Sequence, residues 1–450
     1  MSDIKINGFT GMNNMQSSFY SGKGVMQPRA VVNADVDASG KIRKRQGYTH
    51  FMNLPNAHSL WACKSCMLCV SDGVLYDISN GTSQAITSIS GDRTRREFLS
   101  YELVEDKVYF SNCFCNGIYD YKSGVVSDWG ITLPDQPVLV EIGGGLVSGT
   151  YHVTFTNIDS NGSISGNGQI ASIILNSDNS GIQVLNRPIG ALVWATDSNN
   201  YHFMLIGDVD AISEIPTSEP LPTFLCSPPP CFSIIHSAFG RIWGAVDDTL
   251  YYSEPYQFGL FKLSSNFFKF DSEITLIASV ASGIFIGMKD RTVFLNGTEP
   301  EQMSELSAGA GSIRGTLSYA NNLPELGDIL GTPEKGFVDV PVWRTTEGIV
   351  AGNITGKLYN LTKHKLKMGL PSYGASMYRQ NNGGFQFLTS SVLSGRASAL
   401  GGEDAVVRQI LKDGKISLTT AEDRTPSETA VIGISETVSC DLIRGGVLIE

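Results

Sequence analysis

Apolar and polar residues alternate over short stretches along most of the chain, and turn residues separate these stretches. Asn-Gly and Asp-Gly pairs recur between them, from Asn7-Gly8 to Asp413-Gly414. Such pairs favour tight hairpins, because a type I′ turn needs positive φ at both central positions. The pattern therefore predicts many short antiparallel strands. Residues 401–414 carry helix start and stop signals, and we predict a helix there.

One local pattern repeats within this β-rich chain. An apolar strand ends in an aromatic residue and is followed by polar turn residues, as in "GVLYDISNG" and "RTVFLNG". The strand-ending aromatics are Tyr76, Tyr109, Tyr119, Tyr251, Phe294 and Tyr359. Apart from one large gap, the longer spacings match a four-stranded blade of about 40 to 50 residues. The repeat predicts a β-propeller.

The large gap in the aromatic repeat lies between Tyr119 and Tyr251, and the residues within it have a different sequence pattern. Short alternating strands such as "GTYHVTFTN" lie between the proline-rich segments "LPDQP" and "EPLPTFLCSPPPC". They predict a small immunoglobulin-like or fibronectin-like β-sandwich inserted in a propeller loop. Removing about 90 residues restores the blade spacing. The predicted organisation is an extended arm with a basic hairpin (1–50), a first propeller part (51–133), the sandwich (134–222), and the remaining propeller with a C-terminal segment (223–450).

Composition supports an all-β chain with more than one structural unit. The 450 residues include 42% apolar residues, only 17% charged residues and 48 glycines, a mix typical of turn-rich β proteins. The longest apolar run, residues 274–288, is too short to span a bilayer and predicts two buried strands. The first residues lack the basic and apolar regions of a secretory signal, so we expect synthesis in a cytoplasm.

Three cysteines lie close together in "CKSCMLC", and Cys113 and Cys115 follow in "CFC". This spacing is compatible with a zinc or iron–sulfur site. On a strand, however, Cys63 and Cys69 would share one face while Cys66 faces the other way. The flanking segments also have strand patterns, and reduced cysteine is a common core residue. We therefore predict core thiols and no metal site.

Cys226 and Cys231 lie at the two ends of the proline loop "CSPPPC". A disulfide between them would bridge this rigid loop. A cytoplasmic origin disfavours the bridge, because thiols are kept reduced there. The sequence leaves this pairing open.

Enzymatic function is a separate possibility, because propellers host glycosidases, which need two carboxylates about 5 to 10 Å apart. The candidate acids Asp247, Asp248 and Glu254 lie in "AVDDTLYYSEP", the context of a hairpin turn and a strand end, where acidic residues are common. No G-x-S-x-G, P-loop or H-E-x-x-H motif occurs. The scattered histidines are His50, His58, His152, His202, His236 and His364. We predict no catalytic residue, no metal and no cofactor.

The segment "ADVDASGKIRKRQGY" predicts a hairpin whose second strand is basic. Its cations are Lys41, Arg43, Lys44 and Arg45. Lys41, Arg43 and Arg45 fall on one strand face and Ile42 on the other. Lys and Arg number 33 against 44 Asp and Glu, giving a net charge of −11, which disfavours tight binding of a polyanion. The basic strand is therefore a solvated face or an interface.

The N-terminal segment resembles the opening of tail hub or nozzle proteins of short-tailed bacteriophages. The matching positions are Gly11, Arg29, Asn33, Gly40, Arg43, Arg45, Gly47 and Tyr48. The segments "FGRIWGAVDDTLYYSEPYQFGLF" and "GIFIGMKDRTVFLNGTEPEQM" are similar to the blades of the same proteins. The resemblance covers most of the chain and lies in strands and turns.

This resemblance implies a structural protein of the virion tail that forms a ring of six copies. The ring would lie below the portal and adaptor, contact a tail needle or tail fibres, and let double-stranded DNA pass during ejection. An acidic wall fits this role, because it would not retain a polyanion. The alternative is a carbohydrate-binding or carbohydrate-cleaving propeller, which need not close as a ring. The candidate assembly interface consists of Arg29, Asn33, Lys41, Arg43, Lys44 and Arg45.

Overall fold

The computed structural model describes most of the chain between His50 and Leu393 and shorter stretches outside it. The described residues are 9, 13–15, 27, 28, 31, 34–36, 40–44, 50–91, 98–320, 339–368, 371–381, 384–393, 434–441 and 446–449. The chain forms two compact units, one of Met1–Thr49 with Ser272–Glu450 and one of His50–Asp271. The predicted helix at 401–414 lies outside the described residues.

The chain begins with a two-stranded hairpin and continues with two four-stranded antiparallel sheets. The hairpin pairs β1 (Ala34–Val36) with β2 (Ile42–Lys44). Blade 1 consists of β3 (His58–Ala62), β4 (Met67–Ser71), β5 (Val74–Asp77) and β6 (Gln84–Ser88). Blade 2 consists of β7 (Ser100–Val104), β8 (Lys107–Ser111), β9 (Asn116–Asp120) and β10 (Val125–Ser127). In both blades each strand pairs with the next along the chain.

Seven strands after blade 2 form two sheets, the strand number of an immunoglobulin constant domain. These strands are β11 (Leu139–Leu146), β12 (Gly149–Thr156), β13 (Ala171–Leu175), β14 (Ser180–Val184), β15 (Leu192–Ala195), β16 (Met204–Gly207) and β17 (Ala211–Ile212). One sheet has the order β11-β14-β17 and the other the order β13-β12-β15-β16. Buried side chains from both sheets, including Tyr151, Phe155 and Ile182, form one core. This is the inserted sandwich.

Four more four-stranded sheets follow, again with strands paired in chain order. Blade 3 consists of β18 (Ile234–Ala238), β19 (Arg241–Val246), β20 (Thr249–Tyr252) and β21 (Phe267–Lys269). Blade 4 consists of β22 (Ile274–Val280), β23 (Gly283–Met288), β24 (Arg291–Asn296) and β25 (Ser304–Ala310). Blade 5 consists of β26 (Ser318–Ala320), β27 (Val340–Thr345), β28 (Gly348–Gly352) and β29 (Leu358–Asn360). Blade 6 consists of β30 (Pro371–Asn381), β31 (Gly384–Leu393), β32 (Ile434–Asp441) and β33 (Gly446–Ile449).

The fold class predicted from the sequence is confirmed by this strand order. The repeating unit of a β-propeller is one up-and-down four-stranded sheet. The described residues form six such sheets, and along the chain the sandwich lies between the second and the third of them. The chain is an all-β protein, a β-propeller with an inserted small β-sandwich. Within the described residues, the helical structure is a single 3-10 turn at Pro300–Gln302.

The aromatic repeat marks the third strand of four blades. Tyr76, Tyr119, Tyr251 and Phe294 lie on β5, β9, β20 and β24. Tyr76 and Tyr119 are 43 residues apart, as are Tyr251 and Phe294. The other two aromatics fall outside this phase, because Tyr109 lies on a second strand and Tyr359 on a fourth. The predicted pair of buried strands at 274–288 is confirmed as β22 and β23.

Each unit contains buried clusters shared between neighbouring sheets. In the unit His50–Asp271, blades 1 and 2 share a cluster that includes Leu68 and Phe110. Blades 2 and 3 share a second cluster around Trp129 and Phe232. In the other unit, Phe285 packs with Phe294 and Trp343 between blades 4 and 5.

The expectation that Cys63, Cys66 and Cys69 alternate along one strand is wrong. Cys69 lies on β4, but Cys63 and Cys66 lie in the turn between β3 and β4. The turn reverses the chain, so that these two sulfurs face each other at 3.4 Å rather than opposite ways. Cys66 is buried in the core shared by blades 1 and 2, against which Cys63 is partly packed.

Candidate functional site

The basic segment forms the hairpin that its sequence predicts. Antiparallel pairing places Ala34 opposite Lys44, Asp35 opposite Arg43 and Val36 opposite Ile42. Gly40 precedes β2 with a φ of 80°, a left-handed conformation that glycine adopts without steric cost. The carbonyl oxygen of Gly40 also accepts a 2.8 Å hydrogen bond from the N–H of Phe9, which ties the first residues of the arm to the hairpin.

Every side chain of β2 is exposed to solvent. Lys41, Arg43 and Lys44 are exposed, and Ile42 has 43% of its surface exposed. The sequence predicts that Ile42 lies on the face opposite the cations, and in the structure β2 has no buried side chain. The other strand of the hairpin, β1, lies beside β33 of the same unit.

The arm is held to the rest of its unit through Asn14, while the neighbouring Asn13 forms hydrogen bonds within the arm. Asn13 is buried; its N–H donates to Pro28 O at 2.9 Å and its side-chain amide donates to Gln27 Oε1 at 3.0 Å. The side chain of Asn14 forms two hydrogen bonds with the backbone of Lys367. The N–H of Lys367 donates to Asn14 Oδ1 at 2.8 Å, and Asn14 Nδ2 donates to Lys367 O at 2.9 Å. The arm is thus attached upstream of the hairpin, to the segment that follows blade 5.

Half of the predicted interface residues can be located. The structure brings Lys41, Arg43 and Lys44 together on and beside β2. Arg29, Asn33 and Arg45 lie outside the described residues. The role of all six residues in assembly stays a prediction.

Two of the three acids considered for glycoside cleavage, Asp248 and Glu254, form local ion pairs in blade 3. Asp247 and Asp248 form the two-residue turn between β19 and β20, with Asp247 at a φ of 50°. Lys269 Nζ lies 2.5 Å from Asp248 Oδ1 and lowers the pKa of that carboxyl. Glu254 accepts a hydrogen bond from Asn266 Nδ2 at 2.8 Å, and Lys262 Nζ lies 3.3 Å from the same oxygen. These contacts hold the carboxylates as turn and strand-end residues, the arrangement that their sequence context predicts.

The structure brings together a partly buried acid and a buried histidine, a pair that the sequence analysis missed. Glu102 on β7 and His236 on β18 lie with Oε1 and Nδ1 2.7 Å apart, and Ser237 Oγ donates to Glu102 Oε2 at 3.0 Å. The contact joins blades 2 and 3 within the unit His50–Asp271. Their wide separation in sequence, with the sandwich between them, left no signal that pairs them.

The described thiols and other potential ligands are not arranged as a metal centre. Among the described residues, no group of three or more His, Cys, Asp or Glu side chains could hold a metal ion. The seven cysteines with described side chains are free thiols, and these include Cys226 and Cys231. Burial raises the pKa of Cys226 to about 11, so it has the properties of a core thiol.

Comparisons with known proteins give only solved structures of low similarity to this chain. No family model and no curated protein matches the chain. Among solved structures, BBS1N in complex with ARL6DN has 8% sequence identity and a TM-score of 0.30, over 75% of this chain and 90% of that chain. The Neurospora crassa Pan2 WD40 domain has 10% identity and a TM-score of 0.28, over 74% and 85%. The AfRom2 CNH domain has 7% identity and a TM-score of 0.27, over 77% and 96%. The assignment of a propeller therefore rests on the strand order and register given above.

No helix within the part of the chain that the structure describes combines the length and the apolarity needed to cross a membrane.

Proposed function

We propose that this protein is a structural component of a bacteriophage tail, a hub or nozzle that forms a ring for the passage of double-stranded DNA. The observation that carries the proposal is the exposed basic hairpin. Ile42, Arg43 and Lys44 on β2 and Lys41 beside it are exposed, and β2 has no buried side chain. The arm that bears the hairpin is fixed to its unit through Asn14. A fixed arm with an unburied end is suited to bind a neighbouring copy or an adaptor.

The charge balance supports a protein partner for the hairpin rather than DNA. The chain has a net charge of −11, so a second copy offers many acidic groups to the cations of β2. Charges across such an interface steer association and fix the register of the partners. The same negative charge would limit adhesion of a passing duplex.

The test compares assembly of the wild-type chain with two triple variants, by native mass spectrometry and negative-stain microscopy. One variant carries Lys41→Ser, Arg43→Ser and Lys44→Ser. Its control carries Lys64→Ser, Lys107→Ser and Lys363→Ser, which removes the same charge from exposed positions elsewhere. We expect closed rings for the wild type and the control. Loss of the three hairpin charges should lower the association constant of the hairpin variant about tenfold or more, because each ion pair across the interface contributes up to about 1 kcal/mol.

Both triple variants should retain the circular dichroism and unfolding midpoint of the wild type, since exposed charges contribute little to folding. Higher salt should weaken wild-type rings more than the residual rings of the hairpin variant. A wild-type protein that stays monomeric with and without its adaptor would contradict the proposal and favour the carbohydrate-binding alternative. Equal assembly of the two triple variants would remove the hairpin from the interface.

A further inference from the structure

Two thiols face each other in the first turn of blade 1. The pair Ala62 and Met67 closes the ladder between β3 and β4, and the N–H of Cys63 donates to Cys66 O at 2.9 Å. Cys63 and Cys66 are therefore directly opposed across the two-residue connection Lys64-Ser65. Their Sγ atoms are 3.4 Å apart.

The backbone at this turn already has the spacing that a disulfide requires. Opposed residues joined by a backbone hydrogen bond have Cα atoms about 5.5 Å apart, inside the range of about 4.4 to 6.8 Å found for disulfides. The two sulfurs need to approach by little more than 1 Å to reach bonding distance. Side-chain rotation therefore suffices to close the bond.

The two sulfurs differ in environment. Cys63 is partly exposed, and its Sγ accepts hydrogen bonds from the N–H of Ser65 at 3.4 Å and of Cys66 at 3.3 Å. Cys66 is only 4% exposed. Burial, together with the contact to Cys63, raises the pKa of Cys66 to about 12.

We propose that Cys63 and Cys66 are a redox-active dithiol that closes to an intramolecular disulfide, with Cys63 as the attacking thiol and Cys66 as the resolving thiol. The oxidant is a low-molecular-weight disulfide such as oxidised glutathione. The Cys63 thiolate attacks one sulfur of glutathione disulfide and releases the first glutathione thiolate. Cys66 then loses its proton to solvent and attacks Cys63 Sγ, which releases the second glutathione thiolate. Two protein thiols are oxidised and one glutathione disulfide is reduced to two thiols.

Other described thiols interact with oxygen acceptors. Cys69 Sγ lies 3.5 Å from both His58 O and Val70 O. Cys115 Sγ lies 3.5 Å from Asn112 Oδ1 and 3.9 Å from Ser90 O. Cys115 thus provides a matched control thiol in the neighbouring blade. The proposed dithiol would stay open in a reducing cytoplasm and close in an oxidising medium. This inference is independent of the proposed role in a tail.

The test treats the reduced full-length protein with oxidised glutathione, alkylates the remaining free thiols and maps the products by peptide mass spectrometry. We expect a peptide that contains both Cys63 and Cys66 to lose two hydrogens and escape alkylation, while Cys115 is alkylated. The mixed disulfide on Cys63 should build up at pH 7 and resolve faster as pH rises. Its resolution rate should increase about tenfold per pH unit between pH 7 and 9, because only the rare Cys66 thiolate attacks.

Three substitutions separate the roles of the thiols. Cys66→Ser should leave a stable glutathione adduct on Cys63, Cys63→Ser should leave Cys66 reduced, and Cys115→Ser should close the disulfide as the wild type does. Circular dichroism checks that each variant is folded. Wild-type protein that yields no Cys63–Cys66 disulfide would overturn the proposal, as would stable adducts on Cys66 instead of Cys63. A content of about one zinc per chain would instead assign the pair to a metal site, provided that a chelator removes the zinc and makes both thiols open to alkylation.

Discussion

Glycines and aromatic rings pack against each other across neighbouring strands of the blades. Gly117 lies directly opposite Phe110 in blade 2, and a Cβ on this glycine would lie 2.6 Å from the ring. In blade 3, a Cβ on Gly244 would lie 2.4 Å from the ring of Phe232. The ring thus occupies the space that a side chain would fill on the neighbouring residue. The sequence pattern predicts that the aromatic residues lie on strands. Which glycine lies beneath each ring depends on strand register and tertiary packing, which the pattern does not give.

The first residue-scale prediction concerns Gly244→Ala. Phe232 is fully buried among Trp129, Phe261 and Tyr251, so its ring cannot move away from an added methyl group. Overpacking of this kind costs about 1 to 3 kcal/mol. We expect urea denaturation to show a loss of that size in the free energy of unfolding, with the slope of the transition unchanged.

Gly143→Ala is the matched control for this substitution. A Cβ at Gly143 would meet no atom within 4 Å, and its backbone is not left-handed. Alanine should be neutral there, or stabilising by up to about 1 kcal/mol, because it restricts the unfolded chain. Equal effects at Gly143 and Gly244 would show that loss of glycine itself, rather than contact with the ring, sets the cost.

At the scale of elements, the sequence predicts the strand units well and their turns less well. Regular spacing of turn signals and aromatics predicts the four-stranded blades, because each described blade repeats the same order of four antiparallel strands. The turn Cys63–Cys66 is missed, since its two-residue connection contains Lys64-Ser65 and neither glycine nor asparagine. The exposure of β2 also cannot be inferred from alternation, because a two-stranded hairpin has no core of its own. Pairing of Glu102 with His236 depends on the packing of blade 2 against blade 3.

The element-scale prediction is that the sandwich can be removed from the unit His50–Asp271. Blades 2 and 3 contact each other without it: Ile235 N–H donates to Ser100 Oγ at 3.0 Å, and Phe232 N–H donates to Ser111 Oγ at 2.8 Å. The sandwich has a separate core. Replacing residues 134–222 by a short Gly/Ser linker should therefore leave a cooperative thermal transition in calorimetry.

Removal of the sandwich should nevertheless lower the melting temperature. Its loops bind the chain on both sides of the insertion: Asn157 Nδ2 donates to Thr132 O at 2.8 Å, and Thr223 Oγ1 donates to Ser165 O at 2.7 Å. The excised fragment 134–222 is the companion sample and should unfold cooperatively by itself. Loss of every cooperative transition in the deletion variant would contradict the prediction that the insertion is a separate domain.

At the scale of the whole molecule, charge composition and the basic hairpin act in opposite directions on a polyanion. The net charge of −11 repels duplex DNA, while Lys41, Arg43 and Lys44 concentrate three positive charges within four residues. Three phosphate contacts are few, because tight DNA binding is built from many such contacts, each with its own salt dependence. We therefore expect repulsion by the net charge to outweigh the attraction between the hairpin and duplex DNA.

The whole-molecule prediction is that the wild-type protein does not retard duplex DNA in a gel at about 150 mM salt and 10 µM protein. Proteins that bind DNA non-specifically have dissociation constants of about 1 to 100 µM under these conditions, and an acidic chain should bind more weakly. If the hairpin were a DNA contact, neutralising three phosphates would give a salt slope of about −2.7, or about 200-fold tighter binding when salt falls from about 150 to 20 mM. If the hairpin were a DNA contact, the triple substitution of Lys41, Arg43 and Lys44 would also abolish retardation while rings still formed. That pair of results would remove the hairpin from the interface between subunits.

The opposite pair of results supports assembly through the hairpin. In that case neither protein retards DNA, and the rings of the triple variant are weaker than those of the wild type.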